Sequence, residues 1–321
     1  MVAGNQVRMN MANLSFSDKE SFCEFRFRTA CDTLGGLWHF CTPGHLNESV
    51  NITPDDYDFS VNNLALSAAE AGVTIVTDAH MANHLHALLG CRREQCFTLE
   101  EAYLYRLRKH LHAKGRAVYL GDFRCDDPIP ITDLTMARNE IVYIHRNRYV
   151  VDPAYTPFAD PWSGASVYFN HRTEESGSVT FNDLPYRTKR EICMRSKPVV
   201  PDTYRFRDGR IIPSSYLDYR LGESFFRDAH HYFSLLTKSV EAFSEVARRL
   251  GDRIILTEEE MYQTVKQIAN QNYGVKQPTL LPPNAKIEVA KTMRFDYNAT
   301  NGQIQRLLKL NPSIIRELFP Q

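Results

Sequence analysis

The sequence predicts an α+β protein: an open, mostly antiparallel sheet with helices packed on one face, followed by a mostly helical C-terminal region. Three observations carry this. Short aromatic or β-branched runs alternate with helical repeats in the order β-α-β-β-α-β-α between residues 35 and 152, an order that suits a sheet covered by helices. Asp208-Gly209 separates two arms of alternating apolar residues, the signature of a tight hairpin. The last third of the chain loses strand character and carries amphipathic repeats.

Along the chain, Ser17 to Thr29 has a helical pattern within a polar, otherwise unpatterned start. Leu37 to Thr42, "LWHFCT", follows Gly35-Gly36 and is stopped by Pro43-Gly44, which predicts a strand between turns. From Pro54 a helix is predicted by acidic residues in the first turn, apolar positions at helical spacing and Gly72 after the last of them. "VTIVTDAHMANHLHALL" reads as two strands joined at Met81-Ala82-Asn83. A basic helix over 101–116 is predicted to start at a Thr98/Glu101 capping box. "AVYLGDF" is a short strand, and Ile131 to Asp152 runs without Gly or Pro, long enough for a helix of several turns. In the tail, Thr257 and Glu260 open a helix that Gly274 closes; the segment 299–319 gives two short helices around Leu310-Asn311-Pro312, either a helix-turn-helix or a plain helical cap. Four segments follow from this: an N-terminal extension (1–34), an α+β domain (35–170), a basic linker with a hairpin (171–230) and a helical region (231–321).

Lys plus Arg and Asp plus Glu both number 38 among 321 residues, so attraction to a polyanion must come from local patches. One such patch is 186–227, with ten basic residues against five acids. The seven cysteines fit neither a secreted disulfide framework nor a zinc site, since Cys91 and Cys96 lack a second pair. No stretch matches a membrane span or a signal peptide, so a cytoplasmic protein is expected.

His84 and His86 interrupt an apolar strand. Residues i and i+2 on a strand share a face, and neutral imidazole is a common metal ligand, so the pair predicts ligation rather than two satisfied core histidines. On the helix over 131–152, Tyr143 and Asn147 lie four apart and share a face, placing a phenol and an amide oxygen together. An adjoining metal would ease ionisation of the phenol. His80 is either an outer partner of the metal pair or a strand-end residue, and His110 and His112 are expected at the surface. Leu88 stands where a histidine-triad hydrolase would carry its third histidine, which argues against that enzyme class.

Taken together, "WHFCT", "MANHLHALL", "YIHRN" and "PWSGASVYF" resemble, in order and approximate spacing, the REP-associated tyrosine transposases, a branch of the single-tyrosine HUH endonucleases. The resemblance covers roughly residues 35 to 170. It implies an HUH ferredoxin-like sheet, a metal site of His84, His86 and Asn147 for Mg²⁺ or Mn²⁺, and Tyr143 as the nucleophile. Tyr143 would attack single-stranded or hairpin DNA to give a 5′-phosphotyrosine and a free 3′-hydroxyl, in a protein expected to be a monomer, with a dimer as the alternative. Two family motifs depart here, Ala82 and Arg148 standing where prolines are usual, and Gly164 replaces the second serine of a tryptophan-serine-serine run. Arg106, Arg108, Lys109, Arg205, Arg207 and Arg210 are the expected DNA contacts, interleaved with Tyr204, Phe206, Tyr216 and Tyr219. The alternative is a domesticated, non-catalytic DNA-binding regulator with the same fold.

Overall fold

The computed structural model of the chain describes residues 15–42, 49–116, 120, 123–125, 127–151, 156–170, 177–238, 256 and 258–319. The chain divides into two compact units, Met1–His145 with Pro157–Thr237, and Arg146–Thr156 with Lys238–Gln321.

The first unit is mixed α+β. It opens with α1 (Phe16–Leu34), capped by Ser15 and ended by Gly35 in the left-handed region. β1 (Leu37–Cys41) leads to α2 (Pro54–Ala71), then β2 (Thr74–His80), β3 (Leu85–Gly90), α3 (Arg93–Ala113), β4 (Ile129–Pro130) and α4 (Leu134–Val151). The four strands form one antiparallel sheet in the order β2-β3-β1-β4. Its two longest strands are buried on both faces, because helices cover both sides and not one side as the sequence suggested. Glu140, Tyr143 and His145 of α4 meet His39, His86 and Thr77 on one face. α1 joins α4 there, with Glu20 accepting both terminal nitrogens of Arg138. On the opposite face, Ser60 of α2 and Tyr103 of α3 pack under His80.

Several predicted boundaries differ for local reasons. α3 begins at Arg93, since Gln95 accepts from the Arg92 amide and donates to Ala71 and Gly72 carbonyls, tying the helix start to the end of α2. α4 begins after Asp133, whose carboxylate accepts the Met136 amide, and runs three residues past Arg148, where a proline would have broken it. Of the strand expected over 117–123, Leu120 and Phe123 lie among the described residues, both buried.

Next come β5 (Val179–Thr180), α5 (Tyr186–Ile192), β6 (Arg205–Arg207) and β7 (Arg210–Ile211). The Asp208-Gly209 hairpin is present, both residues taking positive φ as a two-residue turn requires. Asn62 of α2 donates to the Gly209 carbonyl and accepts from the Ile211 amide. The hairpin therefore packs on α2 within the first unit, and is not a free linker. Short helices α6 (Pro213–Tyr216), α7 (Tyr219–Glu223) and α8 (Ala229–Lys238) close the unit. α1 likewise belongs to its core through Cys23, Phe27 and Ala30, so 16–34 is an integral element and not an extension.

In the second unit, α9 (Glu258–Tyr273), α10 (Pro283–Phe295), α11 (Asn301–Leu308) and α12 (Pro312–Leu318) pack through Met261, Val265, Met293, Ile304 and Ile315. The Thr257 cap lies outside the described residues. Gly274 ends α9 in the left-handed region as its position predicts. α11 is capped by Thr300 with Gln303 and α12 by Asn311, so the two short helices and their turn are present as read. Among the described residues no helix is long and apolar enough to cross a membrane.

Candidate active site

Residues directly opposed in an antiparallel pair share a face. Cys41 opposes His86 and His39 opposes Leu88, so His39, Cys41 and His86 stand on the face that α4 covers. One helical turn of α4 supplies Glu140 and Tyr143. The Tyr143 ring lies edge-on to His86 at 5.3 Å and 6.1 Å from His39. His39 donates from Nδ1 to Glu140 Oε2 at 2.5 Å, and its Nε2 is 3.1 Å from His86 Nδ1. Nitrogen and sulfur atoms of His39, Cys41 and His86 all fall within 4.8 Å of one another, and this group could hold a metal ion.

His84 precedes β3, with its carbonyl closing the turn to the Met81 amide. It is half-buried, its ring 4.9 Å from that of His86 and its Nδ1 bonded to Asn83. The two predicted imidazoles are thus neighbours although one lies outside the strand. Burial, reinforced by the adjoining His84 and His39, holds the His86 imidazole well below its ordinary range, which keeps it neutral. Tyr143 is 2% exposed, so the phenol is enclosed by protein. Asn147 follows one turn later on α4 and falls in the second unit, where it is buried.

His80 does not stand behind His84 and His86. It opposes Leu85 and so projects from the other face of the sheet. There it contacts Ser60 Oγ at 2.8 Å and Asp78 Oδ2 at 3.5 Å, while Ser60 also bonds Tyr103 and Tyr216 donates to Asp78. Burial pushes both phenols up, and every member of the cluster is enclosed, as in a polar brace between helices and sheet. His110 is also not at the surface. It stacks on Phe59 at 3.9 Å and bonds Asp56 at 2.8 Å, whereas His112 is exposed as expected. His145 is a further buried histidine, held between Thr77 Oγ1 and the Tyr232 hydroxyl. Gly164 has a packing reason: a Cβ there would stand 2.4 Å from Thr77 Oγ1, because Ser163 bridges to Ala79 at the edge of β2.

The expected DNA contacts divide. Arg106 is withdrawn from solvent, its guanidinium shared among Glu70, Ser67, Ser196 and the Ala102 carbonyl, and so cannot meet a phosphate. Arg205 straps β6 to Ser178 and Thr180, Arg210 pairs with Asp58 at 3.1 Å, and Arg207 pairs with Asp208 at 3.5 Å. Arg108 and Lys109 line a groove of about 960 Å³ with His112, Arg187, Arg190 and Arg195. This groove is a basic surface of the first unit, with Glu191 the one acid among its described lining residues.

His39, Cys41 and Glu140 were not anticipated from sequence. The His-x-Cys spacing in β1 obeys the same two-residue rule as the His84/His86 pair, and Glu140 sits three before Tyr143. Those were the available signals. Comparison of the chain with protein-family models, with curated proteins and with solved structures finds no match.

Proposed function

We propose that this protein is a metal-dependent endonuclease and strand transferase for single-stranded or hairpin DNA, with an HUH ferredoxin-like catalytic unit and Tyr143 as nucleophile. The observation that carries the reading is the convergence of the Tyr143 ring on His86, 5.3 Å apart, with His84 beside it. The donor chemistry fits an ion: the imidazoles of His84 and His86, whose rings lie 4.9 Å apart, would hold it, with Mg²⁺ or Mn²⁺ as the implied metal. When bound, the ion would polarise the scissile phosphate. Tyr143 would attack the phosphorus and expel the 3′-oxygen, forming a phosphotyrosine that conserves the phosphodiester bond energy for rejoining. Arg108 and Lys109, with the arginines of α5, would take the backbone phosphates through a salt-dependent interaction.

The enclosure of Tyr143 favours a second reading, a DNA-binding regulator that has kept the fold without cleavage, because DNA reaches the phenol only if neighbouring side chains move. Incubation of the full chain with hairpin oligonucleotides and Mn²⁺ separates the two. The nuclease reading expects a covalent protein–DNA adduct that Tyr143→Phe abolishes. An adduct surviving in that variant rules out the assigned nucleophile; tight hairpin binding without adduct favours the regulator.

A further inference from the structure

We propose that Glu140 and His39 are positioning residues which fix the tautomer of His86. The arrangement is a chain of three buried side chains. Glu140 Oε2 accepts from His39 Nδ1 at 2.5 Å. An imidazole that donates from Nδ1 in its neutral form presents a lone pair at Nε2, and His39 Nε2 lies 3.1 Å from His86 Nδ1. That separation is a hydrogen-bond length, satisfied when His86 carries its proton on Nδ1 and donates it to His39. The lone pair of His86 is then on Nε2, so a carboxylate on α4 selects the ligating atom of a histidine on β3 through a histidine on β1. Metal-ligating histidines are commonly oriented by a hydrogen bond from their other ring nitrogen; here the orienting group is itself an oriented histidine.

All three side chains are at most 1% exposed, so water does not compete for these bonds. Glu140 also stands one turn before Tyr143. The same helical turn that presents the phenol therefore sets the state of the imidazole it faces. The assignment of the ring proton stands on geometry alone, whereas its consequence for an ion rests on the proposed function.

The alternative use of the same atoms is an ion shared by His39 Nε2, His86 Nδ1 and Cys41 Sγ. The Cys41 thiol is directed instead to its neighbour's carbonyl, Thr42 O, at 3.4 Å, which is why the shared proton is preferred.

Long-range ¹H–¹⁵N correlation on the full, metal-stripped chain labelled at histidine reads the tautomer directly. His86 is expected to carry its proton on Nδ1, and Glu140→Gln to redistribute it. Titration with Mn²⁺ alone is expected to show an affinity about 10- to 100-fold weaker in Glu140→Gln, partly recovered in Glu140→Asp. A His86 proton on Nε2 overturns the proposal, as does unchanged Mn²⁺ affinity in a folded Glu140→Gln. So does a sulfur-to-metal charge-transfer band with Co²⁺ that Cys41→Ser removes and Cys96→Ser leaves, since it places the ion between the rings. If Glu140→Gln does not fold, the tautomer in the unaltered chain still decides. None of these measurements uses DNA, so their failure is separable from failure of the adduct assay.

Discussion

Arg106 and Arg108 differ by two positions and point to opposite fates. On a helix that offset turns a side chain by about half a revolution, so Arg106 enters the space between α2 and α3 while Arg108 reaches the groove. Arg106→Met leaves Ser67, Ser196 and a carbonyl without their donor, although Glu70, 46% exposed, can rehydrate. The expected cost is about 1–3 kcal/mol of stability. On the proposed DNA-binding reading, Arg106→Met leaves the salt dependence of hairpin affinity unchanged, whereas Arg108→Glu leaves the urea midpoint unchanged, weakens hairpin binding and flattens its dependence on salt. Equilibrium unfolding and binding at several salt concentrations test both variants. The same scale explains why His86 and His80, both on neighbouring strands, serve different faces: strand alternation alone decides which layer each ring enters.

The start of α2 shows how an element is fixed by residues from elsewhere. Asp56 closes a capping box, accepting the Ile52 and Thr53 amides, and its other oxygen accepts from His110 of α3 and from Arg116. Burial alone would raise this carboxyl, but the bonds from His110, Thr53 and Ile52 overcome it and hold the pKa at about 2. Asp56→Ala removes the cap together with the carboxylate partner of His110 and Arg116, so a loss of about 2 kcal/mol is expected in urea unfolding. Asp56→Asn should lose less, since an amide oxygen still caps the helix. The acidic first turn at Asp55-Asp56 was legible, and the helix ends at Gly72 as its spacing predicts. The second role of Asp56 was not legible, because His110 lies 54 residues away.

His145, His231 and Asp56 act in one direction with pH. Burial holds His145 at about 3, and burial followed by the charges of Arg227 and Arg138 holds His231 at about 4, both below the ordinary 6.5. A histidine kept neutral in the folded state takes up a proton first in the unfolded state, so its contribution is complete above about 6.5 and is lost as pH falls toward the folded value. Asp56, held at about 2 against an ordinary 3.8, adds stability above 3.8 that is lost as pH falls further. Stability is therefore expected to decline from about pH 6.5 downward, each such histidine costing roughly tenfold in the folding equilibrium per pH unit. Thermal melts between pH 7 and 4 check this. His145→Gln, keeping hydrogen-bonding groups for Thr77 and Tyr232, should make the slope shallower; an unchanged slope would remove His145 from the account.

Features that depend on a few adjacent residues were legible in the chain: helix periods, glycine stops after α2 and α9, the Asp208-Gly209 turn, and the nearness of His84 to His86. These are set by local sterics and by alternation along a strand or helix. Long-range packing set which charges are taken up inside the protein, which face each histidine serves, and that helices cover both sides of the sheet. His39 meets His86 across 47 residues and Glu140 across 101. Such contacts arise from sheet register and helix packing acting together, and neither periodicity nor composition encodes which distant partner a buried polar group will find.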